Sequence, residues 1–369
     1  MKIPILSTIT EPTLLLDEQK CRHNIRSMAE KAKKAGLIFR PHFKTHQSQE
    51  IGRWFREVGV TKITVSSLRM AEYFAADGWK DITVAFPVNV REMERINRLA
   101  AQIQLHLLVE NVESLDYLKT GLQHTVGVFI KVDIGYHRTG ISPDDHAAIT
   151  QLLKAMTSSD KFHFLGFLGH AGHSYKARGK AAIRQVHQQS LKAILPLKER
   201  YQDSFPELIL SIGDTPTCSQ EDTFEGADEI RPGNFVFYDL AQWRIGACRL
   251  DQIAVAMACP VVAKHPEQAK MVIYGGGVHF AKDQSILLDG QTPFFGHLVE
   301  TTEQGWRLPN GRNYLSSLSQ EHGILTVEPS VMEKYQVGDI VTILPIHACM
   351  TANEMKEYLT LKGRWITRL

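Results

Sequence analysis

The chain lacks an excess of charge of either sign. Against 42 Lys and Arg stand 40 Asp and Glu, a net charge of +2 in 369 residues. That balance excludes nucleic acid or an anionic membrane as the principal partner. No apolar run reaches the ~18 residues of a membrane-spanning helix, so no membrane partner is expected either. Cysteine is scarce: the five residues Cys21, Cys218, Cys248, Cys259 and Cys349 form no CxxC or finger-like spacing. A disulfide scaffold is thereby excluded, and a reducing cytoplasm is the expected compartment. The N-terminal MKIPILSTITEPTLLLD has an early proline and no long apolar core, so it reads as mature protein rather than a leader. Also missing is a GxGxxG at the first helix, which weakens an open, doubly wound sheet.

What is present is an alternation. Short β-branched or apolar runs occur at Leu37–Phe43, Lys62–Ser66, Asp81–Phe86, Ile103–Val109, Val126–Val132, Phe162–Gly169, Glu207–Ile212 and Glu229–Val236. Helix-like stretches separate them, among them Leu68–Asp77, Val90–Ala101, Val112–Lys119, Pro143–Thr157 and Gly179–Tyr201. Eight such units predict an α/β fold, a parallel (β/α)8 TIM barrel, over residues 13–245. Beyond it the texture becomes alternating runs and turn signals, which predicts a mostly-β domain from 246–369 together with 1–12. The Gly triplet in YGGGVHF reads as a tight turn or bulge, since no helix clearly follows it.

In a parallel barrel the chemistry gathers at the carboxyl ends of the strands. There the sequence places Lys44 in RPHFKTH, Asp133–Gly140, GHAGHSY with His173 and Tyr175, Gly213–Thr217 with Thr215, and Arg231–Asn234 with Gly233. Small residues and hydroxyls of this kind let backbone N–H groups reach a phosphate. Lys44 is either a strand-end lysine with a solvated head or a Schiff-base amine whose pKa is lowered by Arg138 and a dry pocket. A second signal is PIHAC. Alternation along a strand turns His347 and Cys349 to one face, where imidazole and thiolate form a zinc-type pair with open positions. The alternative is a buried cysteine beside a hydrogen-bonded histidine.

Seven segments in one order, FRPHFKTH, VDIGYHRTG, GHAGHSY, SIGDTPT, EIRPGNFVFYD, GGGVHFAKD and PIHAC, resemble the D-threonine aldolase and eukaryotic-type D-serine dehydratase group. These are fold-type III pyridoxal phosphate (PLP) enzymes related to alanine racemase, and the likeness spans nearly the whole chain. It implies a PLP-binding TIM barrel plus a β domain, and a homodimer with its active site near the subunit interface. Lys44 would form the Schiff base with PLP, and Arg138 would face the pyridine nitrogen. His173 and Tyr175 would line the cofactor, and Thr215, Gly233 and Asn234 would hold its phosphate. His347 and Cys349 would bind a divalent metal, zinc by preference and manganese or magnesium otherwise.

The implied substrate is a small D-β-hydroxy amino acid. Dehydration of D-serine to pyruvate and ammonia is the preferred reading, because the dehydratases of the group carry His-x-Cys and the aldolases His-x-Asp. Retro-aldol cleavage of D-threonine or D-3-hydroxyaspartate is the alternative. A racemase lacks an identifiable second base here, and a PLP carrier without catalysis would lack the β domain.

Overall fold

The computed structural model describes residues 4–302 and 305–369. Two compact units emerge from it. One comprises Ile25–Gly233 with Ile245–Ala247 and Leu369, and the other Met1–Asn24, Asn234–Arg244 and Cys248–Arg368. The first strand, β1 (Thr13–Leu16), is buried along its whole length. It pairs antiparallel with a strand of the second unit, Val255–His265. Residues 13–16, which the sequence assigned to the barrel, thus belong to the other sheet. A short apolar run does not reveal which sheet will bury it.

The larger unit is the eight-stranded parallel barrel. Its strands are β2 (Ile38–Phe39), β3 (Lys62–Val65), β4 (Asp81–Pro87), β5 (Gln104–Val109), β6 (Val126–Lys131), β7 (Phe162–Leu168), β8 (Ile209–Ile212) and β9 (Glu229–Ile230). Each falls inside or within a residue of a run read from the sequence. Hydrophobic strands alternating with amphipathic helices are buried on both faces in such a barrel. The helices start where the sequence supplies caps: Ser67, Asn111 and Asp145 each accept a backbone N–H from the first turn that follows.

Two strands are shorter than expected. β2 stops before Pro41 and β9 before Pro232, each of which lacks the N–H a ladder needs. The ring closes instead through an isolated parallel bridge between His42 and Thr64. Phe43 N donates to Thr64 O and Thr64 N to Pro41 O, each at 2.9 Å. The segment that carries Lys44 is therefore the seam of the barrel.

The barrel interior is polar at one end. Arg40, 1% exposed, donates to Glu229 at 2.6 Å and also to Asp81. Glu229 in turn accepts from Ser211 Oγ at 2.6 Å, and Ser211 Oγ accepts from Arg231 Nε at 2.6 Å. Ser211 and Glu229 lie in β8 and β9, and Arg40 and Arg231 immediately follow β2 and β9.

In the smaller unit, Val255–His265 pairs antiparallel with Ile340–Pro345 and Lys270–Tyr274, and β1 pairs parallel with Glu357–Thr360. Leu14, Leu15, Met257, Ile343 and Tyr358 fill its core. The Gly triplet is followed by a helical turn, Gly277–Phe280, where the sequence showed no clear helix. A Cβ on Gly276 would lie 2.2 Å from the Gln320 carbonyl oxygen. Close backbone approach therefore dictates this glycine.

Candidate functional site

At the barrel seam Lys44 is solvent-exposed, on a short turn in which its backbone N–H faces His42 Nδ1 at 3.3 Å. Two imidazoles share its surroundings. Burial holds His42 well below the usual histidine range, and the charges of Lys44 and Arg231 add to the effect. His170 is pushed down to about 3, by burial first and then by Lys44, Arg231 and Arg138, against the Gly213 carbonyl contact that favours a proton. Its Nδ1 lies 2.6 Å from that carbonyl, so the neutral ring donates from Nδ1 and keeps a lone pair on Nε2. The amine of Lys44 thus has two imidazoles near it that are neutral at pH 7 and can hydrogen-bond without adding charge.

The rim residues converge only in part. Tyr175 packs near His170, with ring centroids 6.4 Å apart, and its hydroxyl accepts the Thr215 N–H at 3.4 Å. Thr215 opens a short helix capped by Asp214, and its own Oγ1 is buried with no hydrogen-bond partner among the described residues. An orphaned buried hydroxyl asks for an acceptor from outside the chain, and a phosphate oxygen fits it. Gly233 backs onto His42: a Cβ there would lie 3.0 Å from both the Cβ and the carbonyl oxygen of His42. His173 is half-buried with an unpartnered Nδ1, and it borders Gly135.

Arg138 is exposed and stacks over Tyr136, 5.0 Å from the ring centroid. Its loop is folded around Asp133, whose Oδ1 accepts the N–H groups of Gly135, Tyr136 and His137, each at 3.0 Å. The arginine inside the barrel is Arg231, 4% exposed, which donates to Ser211 and Gly169. Burial brings it down to about 10. Lys131, at the end of β6, is also interior, 7% exposed, and donates to Val132 O at 2.7 Å. Burial and the nearby Arg231 push it to about 8, Asp133 opposing. The sequence quoted Arg231 within RPGN but gave it no role, and Lys131 hid inside an apolar run. Only the inward phase of each strand singles them out.

In the second unit, His347 and Cys349 do come together, though not by strand alternation. The strand ends at Pro345, His347 is the N-cap of helix Ala348–Met355, and Cys349 lies in its first turn. The extended backbone of a cap residue directs its side chain over the turn that follows. His347 is hydrogen-bonded to Cys349 and, through Nδ1, to Asp283 at 3.2 Å. Burial alone would depress it, but Asp283, Cys349 and the charge of Asp239 outweigh burial and raise it to about 11. Asn234, placed among the phosphate residues by the sequence, turns its side-chain amide to this pair: Nδ2 lies 3.4 Å from Cys349 Sγ and 2.6 Å from Asp239 Oδ2. Among the described residues no three His, Cys, Asp or Glu form a metal cage. The donor set is a nitrogen–sulfur pair with a carboxylate behind the imidazole, which suits an open, zinc-type site. Asp239 and Asp283 close two of the segments singled out in the sequence, EIRPGNFVFYD and GGGVHFAKD, yet no spacing rule linked them to His347.

Comparison with known proteins agrees with both units. The chain is 28% identical to a D-serine dehydratase of Dictyostelium discoideum, over 96% of this chain and 93% of that protein. The solved D-threo-3-hydroxyaspartate dehydratase of Delftia sp. HT23 superposes with a TM-score of 0.90 at 26% identity, covering 99% of this chain and 98% of the other. A cysteine-to-alanine mutant of that dehydratase is described as a metal-free form. A D-threonine aldolase of Arthrobacter sp. is 22% identical over 94% of this chain and 88% of that protein. The family model "Alanine racemase, N-terminal domain" matches residues 16–240, and "Putative serine dehydratase domain" matches residues 254–361. With the first of these spanning more than half of its length, the chain belongs to the alanine racemase N-terminal domain family.

Proposed function

We propose that this protein is a lyase, dependent on PLP and a divalent metal, that eliminates water from a D-β-hydroxy amino acid, after which the unsaturated amine takes up water again and yields a 2-oxo acid and ammonia. D-serine giving pyruvate and ammonia is the preferred reaction. The observation that carries this reading is the His347–Cys349 pair, backed by Asp283, in a chain whose barrel seam presents Lys44. In the Delftia dehydratase the described mutants replace a histidine and a cysteine two positions apart, and the cysteine mutant is metal-free. His347 and Cys349 have the same spacing.

Bound PLP would supply an aldehyde for a primary amine and a ring that accepts electrons from Cα. Lys44 is the amine that would hold it, and once released would take the α-proton. Neutral His42 and His170 would keep that amine hydrogen-bonded without adding charge beside it. Thr215 Oγ1 and the N–H groups near Gly233 would receive the phosphate, and Tyr175 and His173 would border the ring. Interior Arg231, rather than exposed Arg138, is the arginine suited to face a buried pyridine nitrogen, because a guanidinium does not give up its proton and so donates there. A divalent metal on His347 and Cys349 would act as a Lewis acid toward a hydroxyl leaving group. Zinc is preferred on the softness of the thiolate.

By the same family likeness the protein acts as a homodimer in the cytoplasm. Its cysteines are all unbridged, and no helix among the described residues is long and apolar enough to cross a membrane. The test is a product assay on D- and L-β-hydroxy amino acids. Pyruvate from D-serine, abolished by EDTA, restored by zinc and lost in Lys44→Ala, is expected. Glycine plus an aldehyde would replace dehydration by retro-aldol cleavage, and absence of both products would overturn the proposal.

A further inference from the structure

We infer that Asn234 and Asp239 form a built support for the Cys349 sulfur: the Asn234 amide donates to it, and Asp239 fixes which end of that amide faces it. This rests on the reading of His347 and Cys349 as a metal pair.

The geometry is specific. Asp239 is fully buried, and every contact recorded for its carboxylate is with a donor. Oδ1 accepts Gln242 N at 2.9 Å, while Oδ2 accepts Asn234 Nδ2 at 2.6 Å and Ala348 N at 2.9 Å. One oxygen thus ties down both the amide that touches the sulfur and the backbone one residue before it. Asn234 is 4% exposed, and its Nδ2 reaches Cys349 Sγ at 3.4 Å.

The two amide protons are then both used, one on carboxylate and one on sulfur. Rotating the amide would set its oxygen against two other acceptors, so Asp239 determines the orientation. The consequence is an Oδ1 that stays buried without a partner among the described residues. An asparagine serving structure alone would be expected to satisfy both ends of its amide. Here the acceptor end is left over and the donor end is aimed at sulfur. A donor on a thiolate draws off electron density and fixes the direction of its lone pairs, which is how outer hydrogen bonds tune a metal ligand.

The experiment uses the full chain, freed of metal by chelation and titrated with Co²⁺, with Zn²⁺ added in competition. The readouts are affinity and the near-ultraviolet thiolate-to-cobalt charge-transfer band. Asn234→Ala is expected to bind Co²⁺ about 10–100-fold more weakly. Its band should move to longer wavelength, because an unbonded sulfur is more electron-rich. Asn234→Ser, which keeps one donor, should recover part of both changes. Should Asn234→Ala fail to fold, Asn234→Leu comes close to the shape and removes the donor without adding a ligand, and the same loss is expected. Affinity within twofold of wild type and an unmoved band in these variants would overturn the inference. Failure of the metal-pair reading looks different: wild type would show no charge-transfer band, or the band would survive in Cys349→Ser.

Discussion

Lys131 is a residue whose surroundings conflict with its charge. It sits inside the barrel, where burial and Arg231 push it from 10.5 to about 8, with Asp133 opposing. A depressed lysine costs stability wherever both states are protonated, that is, below the folded value. Between about pH 8 and 10.5 the unfolded chain binds the extra proton, so stability rises with pH across that window. The cost at neutral pH is on the order of 3 kcal/mol. Lys131→Met should therefore stabilise the cofactor-free protein at pH 7 by about 2–3 kcal/mol and flatten the rise between pH 8 and 10. Urea unfolding at pH 7, 8, 9 and 10 measures both. An unchanged slope would show that another group is responsible. Interior charges of this sort were the least legible part of the site. A lysine in VFIKV reads as a strand residue of unknown phase, and the family resemblance pointed to Arg138 while Arg231 carried no role of its own. Burial, which decides between them, is a property of the closed ring and of no single segment.

At the level of strands and helices the sequence was far more informative. Period-2 runs and caps such as Ser67 and Asn111 are local signals, and all eight barrel strands could be read from them. What local signals could not give was length at Pro41 and Pro232, or the partner of β1. Nor could they give the cap geometry that brings Cys349 under His347. Gly166 illustrates another hidden constraint. It lies in β7 with φ of +135°, beside the register shift that separates Val128 from Phe129 in the β6–β7 pairing. A Cβ there would lie 2.0 Å from the Ile209 carbonyl oxygen of β8. Gly166→Ala combines backbone strain with a backbone clash and should cost about 3 kcal/mol or more. Equilibrium denaturation should show the midpoint falling with little change in slope. Stability near that of wild type would mean that the strand can straighten without loss.

Across the whole barrel the governing feature is the buried polar chain from Arg40 through Glu229 and Ser211 to Arg231. It links side chains from β8 and β9 with the segments that follow β2 and β9, so it joins parts of the chain nearly 200 positions apart. Arg40→Met would leave the Glu229 carboxylate, 0% exposed, without its cation. Removing one partner of a buried pair costs about 3–5 kcal/mol. Urea unfolding of the variant at pH 8 provides the check, and a deficit below about 1 kcal/mol would show that the buried chain does not depend on this cation.

The closure at His42 and Thr64 has a consequence for how such an enzyme would fail. The Lys44 amine, the proposed Schiff-base group, sits two residues from the fastening that turns an open ribbon of strands into a ring. Any slackening there would carry His42 and Lys44 together away from His170 while every helix stayed wound. If Lys44 is the Schiff-base amine, activity would then vanish ahead of any change in helical content, and catalytic competence would depend on a shut barrel.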